Sequence, residues 1–350
     1  MSSKLSAFTE LPTVDVSGLY DSTPDARQAV ARELFKAASE VGFLYVTGHP
    51  VNRDLRERLI AQTKRFFDLP YEEKMKIYIG KSTSHRGYVP EGEEVMVGGK
   101  RDRKEALDLG YELDADHPLV EAGTPMVGPN QWPDLPGFRE DVYAYYEAIF
   151  DLGKHLIRGF ALALGLEETF FDDLITAPPS QLRLIHYPYD AEATDVQGIG
   201  AHTDYEFFTL LLPTAPGLEV MNGAGEWIDV PLLPDAYVVN IGDMLEILSN
   251  GLFVATSHRV RKVKEERYSF PLFFSCDYHT RIAPLPELVP ADGTSKYEPL
   301  IAGDHLYAQT AQSFTYLIEK LARNELTLPD NAKGLSSFGQ FARHPDQQDA

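Results

Sequence analysis

Cysteine is almost absent from this sequence, since Cys276 is the only one. A single thiol excludes an intramolecular disulfide and any zinc site built from several cysteines. Cys276 lies beside an apolar run, where buried thiols are common. We therefore predict that Cys276 is an inert part of the core.

Basic side chains are also few. The chain has 32 Lys and Arg against 53 Asp and Glu, which gives a formal net charge of -21. Affinity for nucleic acid rests largely on clustered Lys and Arg, so we do not expect a nucleic-acid partner. The acidic residues are scattered, which is typical of a solvated surface.

Long hydrophobic runs are missing as well. The first six residues lack the apolar core of a secretory signal, and the most apolar stretch, residues 156–166, is short and contains Arg158. We therefore expect no membrane partner and predict a cytoplasmic protein, with no signal for any oligomeric state. Hydrophobic residues still make up 43% of the 350 positions, which is enough for a sizeable globular core.

The first half of the chain has mixed α and β character. Residues 1–136 are predicted to form an N-terminal region that ends in a long functional loop, because Gly, Pro and charged residues dominate residues 79–136. The apolar repeat of residues 138–164 predicts a long amphipathic helix within a segment of residues 137–179 that packs on the rest. The earlier predicted elements are a strand over residues 11–16, a helix from Pro24 to Gly42, a strand over residues 43–47 and a helix ending before Pro70.

The second half changes to short runs of β-branched and aromatic residues separated by turns. Such spacing indicates a β-sandwich or barrel, which we assign to residues 180–285. Residues 286–350 are predicted to form one helix, over residues 304–323, and a tail. The predicted strands cover residues 182–187, 207–212, 218–221, 227–230, 237–241, 255–260 and 268–275.

One His-x-Asp motif, His202-Thr203-Asp204, follows a glycine-rich segment. Residues two apart in an extended segment point to the same face, so the imidazole and the carboxylate can converge on one ion. Alone, this short motif is more often a solvated turn. A second histidine, His258, lies in a predicted strand downstream, and two histidines with one carboxylate are diagnostic of non-haem Fe(II) oxygenases.

A second pair with the same spacing, Arg267 and Ser269, lies on the next predicted strand. An Arg fork matches a carboxylate in bidentate geometry, and a serine hydroxyl adds a neutral donor. An Arg-x-Ser pair by itself is usually a surface feature. Its position one strand after His258 favours a carboxylate-binding role.

At these residues the sequence resembles the Fe(II)- and 2-oxoglutarate-dependent oxygenase superfamily, in its isopenicillin N synthase-like branch. The resemblance covers most of the chain. It is carried by the triad, by Arg267 and Ser269, and by the runs LPTVD (residues 11–15), VGFL (41–44), KEALDLG (104–110), GPNQWP (128–133), LIHYPY (184–189) and NIGD (240–243).

The resemblance implies a mixed α/β fold dominated by a double-stranded β-helix, or jelly-roll barrel, with flanking helices. It implies Fe(II) held by the triad, 2-oxoglutarate as co-substrate near Arg267, Ser269 and Tyr187, and O2 as oxidant. The implied reaction hydroxylates or desaturates a small molecule while 2-oxoglutarate is decarboxylated to succinate and CO2.

The substrate positions are less defined. Arg183, Tyr205, Phe273 and the loop from His85 to Glu94 resemble pocket positions of thymine 7-hydroxylase and the ethylene-forming enzyme. An inward Arg183 would be a costly buried charge without a partner, so we predict that it faces a polar group of the substrate or co-substrate. Departures at Met96 and Gln312 argue against ethylene formation from arginine.

Four alternatives stay open at this point. One is an isopenicillin N synthase-like oxidase that does not use 2-oxoglutarate, and another is an ethylene- and succinate-forming enzyme. A third is a metal-dependent hydrolase, although no general base is placed for it. The last is a barrel that binds a ligand without catalysis.

Overall fold

An eight-stranded sheet and a four-stranded sheet form the centre of the molecule. The computed structural model describes residues 5–95, 104–189, 197–261, 264–291, 293, 295 and 297–329, so the predicted tail from residue 331 and Met96 lie outside the described residues. In chain order the strands are β1 Thr13–Asp15, β2 Phe43–Thr47, β3 Gly87–Val89, β4 Glu105–Gly110, β5 Gln181–Tyr187, β6 Gln197–His202, β7 Phe208–Pro213, β8 Leu218–Met221, β9 Trp227–Asp229, β10 Tyr237–Ile241, β11 His258–Arg261, β12 Arg267–Phe274, β13 Arg281–Ile282 and β14 Leu300–Ile301.

The larger sheet has the strand order β1-β2-β10-β7-β12-β5-β4-β3, and the smaller has the order β6-β11-β8-β9. The strands β13 and β14 form a separate pair. All of these pairings are antiparallel except that of β1 with β2. The mixed α/β class is confirmed, and the strand-rich second half supplies half of the larger sheet and all of the smaller one.

Eight α-helices lie among the described residues. They are α1 Pro24–Glu40, α2 Arg53–Phe67, α3 Tyr71–Lys74, α4 Pro118–Glu121, α5 Phe138–Ala163, α6 Asp243–Leu248, α7 Ala302–Ser313 and α8 Thr315–Ala322. Among the described residues, none of these helices combines the length and the apolar character needed to cross a membrane.

The predicted long amphipathic helix is confirmed as α5. Its apolar face contacts α1, α2 and β12. Contact with β12 is close, because a Cβ atom at Gly153 would lie 2.4 Å from Cδ2 of Phe274. Cys276 is fully buried as predicted, and burial raises the pKa of its thiol to about 12. At neutral pH it therefore stays protonated and unreactive.

The helix α1 ends where the sequence indicates. Gly42 has a φ of 72°, and its amide donates to the carbonyl of Ala37, a left-handed helix end that glycine adopts without strain. The chain then enters β2 directly, over the residues that were predicted as a strand.

The predicted long loop of residues 79–136 is wrong in part, because it contains β3, β4 and α4. The strand β4 pairs along its whole length with β5, and β3 pairs with β4 at the edge of the larger sheet. These strands depend on partners that lie far away in sequence, so the local composition of Gly, Pro and charged residues concealed them.

The predicted single helix over residues 304–323 is also wrong, since it is broken between α7 and α8. Phe314 has φ −102° and ψ 127°, which is extended backbone. The amide of Val95 donates to the carbonyl of Ser313 at 2.8 Å, and the amide of Thr315 donates to the carbonyl of Glu93 at 2.9 Å. These bonds to a distant segment replace helical hydrogen bonds.

The short helix α6 was not predicted at all. Each of its six residues is buried, including Asp243 and Glu246. A helix without an exposed face lacks the polar stripe on which amphipathic periodicity depends, so no pattern marks it in the sequence.

Candidate active site

The predicted metal-binding residues come together at the smaller sheet. His202 ends β6 and His258 begins β11, and the two are direct cross-strand partners with ring centroids 4.3 Å apart. Asp204 follows in the loop after β6. One ligand atom from each of the three residues lies within 4.8 Å of the others. This arrangement could hold one metal ion.

Hydrogen bonds orient both imidazoles. Nδ1 of His202 lies 2.8 Å from the carbonyl oxygen of Gly200, and Nδ1 of His258 lies 3.3 Å from that of Thr256. A carbonyl only accepts, so Nδ1 carries the proton in each ring. The lone pairs are then on the Nε2 atoms, which lie 3.7 Å and 3.6 Å from Oδ1 of Asp204.

The carboxylate of Asp204 is oriented by its other oxygen. Oδ2 accepts a hydrogen bond from the Thr209 hydroxyl and another, at 2.7 Å, from Nδ2 of Asn240. Oδ1 is thereby left facing the two histidines. Such bonds behind a metal ligand typically fix its orientation.

The charge states also suit a cation. Burial alone would raise the pKa of Asp204, but His258, His202, Thr209 and Asn240 together hold it below its ordinary value. Burial and the neighbouring His202 lower the pKa of His258 to about 4. At neutral pH Asp204 is therefore anionic and His258 neutral, as metal binding requires.

A cavity of about 290 Å³ opens beside this triad, between the two sheets. Strands β5, β7 and β12 of the larger sheet and strands β6, β8 and β11 of the smaller sheet contribute to its wall. The predicted residues that border it are His85, Glu94, Arg183, Tyr187, His202, Asp204, Tyr205, His258, Ser269 and Phe273.

Arg267 is the first residue of β12, two positions before Ser269. It is only 4% exposed. Its guanidinium lies 3.9 Å from the ring centroid of Tyr187, and Nη1 donates one long bond, of 3.4 Å, to the carbonyl of Pro216. Within the described ranges, no carboxylate of the protein pairs with Arg267. The Ser269 hydroxyl likewise has no hydrogen-bond partner there, although Ser269 is buried.

Arg183 borders the cavity as predicted, but the argument that it needs a polar group of the substrate is wrong. Its Nε and Nη2 donate to the two carboxylate oxygens of Asp108 at 2.7 and 2.8 Å, and Nη1 pairs with Glu94. Glu94 also accepts from Lys104 at 2.6 Å. The protein itself therefore satisfies this buried charge.

These ion pairs determine the charge states of the residues around Arg183. Although burial opposes it, Arg183 and Lys104 lower the pKa of Glu94 to about 2, and Asp108 and Glu94 raise that of Arg183. Burial and the charges of Arg86 and Arg183 lower the pKa of His85 to about 3. Glu94 is thus anionic and His85 neutral at physiological pH.

His85 joins the cavity wall to the C-terminal helices. Its Nδ1 lies 2.6 Å from the hydroxyl of Tyr316, and its ring contacts Phe314 edge to face at 4.5 Å between centroids. Phe314 is the residue at the break between α7 and α8, and it also borders the cavity. The segment around Glu94 and the helix break therefore close one side of the cavity together.

Several residues of the site were not predicted. Thr209 and Asn240 orient Asp204, Asp108 pairs with Arg183, and Gln181 borders the cavity. For Asp108 the sequence does contain a signal, because an acidic residue within an otherwise apolar strand indicates a buried partner. Glu206 is buried beside the triad, and burial together with Asp204 raises its pKa to about 8.

Residues 11–135 match the family described as non-haem dioxygenase in morphine synthesis N-terminal, and residues 178–275 match the 2OG-Fe(II) oxygenase superfamily. The chain belongs to the 2OG-Fe(II) oxygenase superfamily. It is therefore an Fe(II)- and 2-oxoglutarate-dependent oxygenase, and this assignment is supported over the oxidase, ethylene-forming and non-catalytic alternatives.

Relatives of named activity support this assignment over nearly the full length. A 2-oxoglutarate-Fe(II) type oxidoreductase of Emericella nidulans is 37% identical over 88% of this chain and 91% of its own length. A homoarginine-6-hydroxylase of Glycine max is 36% identical over 89% of this chain and 99% of its own length.

Solved structures of similar proteins agree. A full-length Neurospora crassa protein in complex with alpha-KG and thymine has a TM-score of 0.74, with 26% identity over 92% of this chain and 99% of that chain. A putative 2OG-Fe(II) oxygenase family protein from Caulobacter crescentus has a TM-score of 0.75, with 29% identity over 91% of this chain and 100% of that chain.

Proposed function

We propose that His202, Asp204 and His258 hold Fe(II), that Arg267, Ser269 and Tyr187 hold 2-oxoglutarate, and that a small organic molecule is oxidised in the rest of the cavity. We further propose that the two sheets facing each other across this cavity form the family's jelly-roll barrel, with the triad at its opening. The cavity wall, which is built from residues of both sheets, supports that arrangement.

The donor set fits Fe(II). Two imidazoles with free Nε2 lone pairs and one carboxylate oxygen match the facial triad of non-haem iron oxygenases, which leaves coordination positions open. When bound, iron with 2-oxoglutarate and O2 supplies oxidative decarboxylation to succinate and CO2 and the oxidation of a substrate C–H bond. Thr209, Asn240 and the backbone carbonyls behind the histidines keep the three ligands oriented.

The observation that carries the proposal is the buried guanidinium of Arg267. A buried charge without an opposite partner is costly, and here no carboxylate among the described residues provides one. Ser269 adds a hydroxyl on the same face of β12, two residues away. Together they suit a carboxylate supplied by a ligand, which the distal carboxylate of 2-oxoglutarate provides.

The ring of Tyr187 packs against the guanidinium of Arg267. Tyr187 and Arg267 are direct partners on β5 and β12, and a guanidinium 3.9 Å from an aromatic ring is held by cation–π attraction. The ring therefore limits the rotation of the Arg267 side chain. Its donors are then oriented before the co-substrate arrives.

The remaining cavity is lined by Arg183, Tyr205, Phe273, His85 and Glu94, and we propose that these contact the substrate. Its volume suits a small molecule. Thymine in the Neurospora structure and homoarginine, named for the plant relatives, are both small polar compounds. We propose a substrate of that size and polarity here.

The test is spectroscopic. Anaerobic addition of Fe(II) and 2-oxoglutarate is expected to produce a visible charge-transfer band, because the keto acid chelates the iron. A screen of small molecules should then identify those that stimulate succinate release under air. Absence of the band from iron-loaded protein would rule out 2-oxoglutarate as the co-substrate held at this site.

A further inference from the structure

Gln181 begins β5 on the cavity side of the larger sheet. It is the direct cross-strand partner of Phe273, which pairs in turn with Thr209 on β7. Thr209 donates to Asp204. Neighbouring strands lie about 4.8 Å apart, so Gln181 is roughly 10 Å from Thr209 along this row. A small molecule beside the metal ligands can therefore reach it.

The side-chain carboxamide of Gln181, like the Ser269 hydroxyl, lines the cavity without a hydrogen-bond partner among the described residues. Gln181 is only 9% exposed, yet neither its amide nitrogen nor its oxygen has a hydrogen-bond partner in the part of the chain that the structure describes. Buried amides are normally satisfied on both atoms. Both atoms therefore retain their hydrogen-bonding capacity for a ligand.

The neighbouring charged residue, Arg183, already has hydrogen-bond partners within the protein. Arg183 lies two residues further along the same face of β5, and three of its donors already point to Asp108 and Glu94. Glu94 in turn accepts from Lys104. Recognition at this wall consequently depends on Gln181 more than on the more conspicuous arginine.

We infer that Gln181 determines substrate specificity, and that it selects a substrate carrying a hydrogen-bond donor beside an acceptor, such as an amide, a lactam or a urea. This inference rests on the proposed function, since the cavity must be the substrate site. Phe273, the cross-strand partner, offers an apolar face on which a flat group of this kind can lie.

The selectivity follows from matching both atoms of the amide. A carboxylate has only acceptors and would leave the Gln181 oxygen without a donor. An amidinium has only donors and would leave the Gln181 nitrogen without an acceptor. An unsatisfied buried polar group typically lowers affinity by about tenfold or more.

Three probes of nearly equal shape test this inference: benzamide, benzoate and benzamidine. Their binding is measured by calorimetry, and by perturbation of the charge-transfer band, in anaerobic protein loaded with Fe(II) and saturating 2-oxoglutarate. The wild type should bind benzamide about tenfold more tightly than either charged probe. Gln181→Glu should reverse the order in favour of benzamidine, and Gln181→Leu should abolish the preference.

The matched control is Gln28→Glu, the same substitution at an exposed position on α1, which should leave the wild-type order unchanged. An unchanged order in Gln181→Glu would overturn the inference, as would a wild type that binds the three probes alike or binds none. If wild-type protein loaded with Fe(II) and 2-oxoglutarate still shows the charge-transfer band, the proposed function is retained even when the inference about Gln181 fails. Loss of the band in wild type would defeat both.

Discussion

Two buried arginines near the cavity have opposite surroundings. Arg267 is buried against Tyr187 without a carboxylate among the described residues, whereas Arg183 is paired with Asp108 and Glu94. Both arginines lie on neighbouring strands of one sheet. The difference teaches that an inward arginine indicates a ligand only where the protein has not already supplied its partner.

The comparison also separates what each group of residues contributes. The triad and Arg267 offer ligand atoms and donors for groups that the chain itself does not contain. Arg183 belongs to an internal ion-pair network that joins β4, β5 and the segment before residue 96. We expect the triad and Arg267 to govern iron and 2-oxoglutarate, and the Arg183 network to govern stability and the shape of the substrate site.

The largest expected effect comes from the triad. His258→Ala should remove stoichiometric iron and all turnover, because it deletes one of the proposed protein ligands while the sheet pairing of β11 remains. Iron content by elemental analysis and succinate release measure it. His279→Ala, at an exposed histidine, is the control and should retain both. Wild-type iron content in His258→Ala would contradict the assignment.

The next effect tests the paired arginine. Arg183→Met should lower the free energy of unfolding by about 3–5 kcal/mol, because Asp108 and Glu94 are left buried with less compensation. Arg267→Met in the absence of 2-oxoglutarate should lower it by less than about 1 kcal/mol, because no buried carboxylate loses its partner. Denaturant unfolding compares the two variants. Equal losses would abolish the distinction between the two arginines.

A smaller effect concerns Arg267, which has no carboxylate partner among the described residues. Arg267→Lys should weaken 2-oxoglutarate binding by about 1.5–3 kcal/mol while iron binding is retained, because lysine keeps the charge but loses the bidentate fork. Titration of the charge-transfer band measures the affinity. Arg281→Lys, at an exposed arginine on β13, should behave as wild type. An unchanged affinity in Arg267→Lys would assign Arg267 another role.

The smallest effect is expected on the opposite face of β5. His186 alternates with Tyr187 along β5, and it is not among the residues that line the cavity. Its Nδ1 lies 2.8 Å from Glu105 and its Nε2 lies 2.9 Å from Glu266. Although burial opposes it, these carboxylates raise the pKa of His186, so its ion pairs are fully formed below the ordinary histidine pKa.

That stabilisation should be lost as the pH rises through the elevated pKa of His186. It should amount to less than about 1 kcal/mol, the usual range for pairs with an exposed partner such as Glu266. His186→Gln should therefore flatten the dependence of unfolding free energy on pH without changing 2-oxoglutarate affinity. A steeper dependence in the variant would contradict the raised pKa of His186, and a changed affinity would show that this face also influences the cavity.

The sequence predicted the chemical centre well. His202, Asp204 and His258 converge as predicted, although Asp204 lies in the loop after β6 and His258 is brought to His202 by the pairing of β6 with β11. Arg267 and Ser269 lie on one face of β12, because residues two apart in a strand share a face. The helix α5 and the strand β2 were equally evident, since their periodicity and the glycine after α1 are local signals. Properties that depend on neighbours along the chain were therefore available before the structure.

Tertiary structure alone decided which charges are already paired. Asp108 meets Arg183 because β4 pairs with β5, and β4 was hidden in a segment that looked like a loop. The break at Phe314 depends on bonds to residues more than 200 positions earlier in the chain, and Gln181 faces the cavity without a side-chain hydrogen-bond partner among the described residues. Local patterns do not encode such distant pairings, because hydrogen bonds and ion pairs form between whichever groups the fold brings into contact.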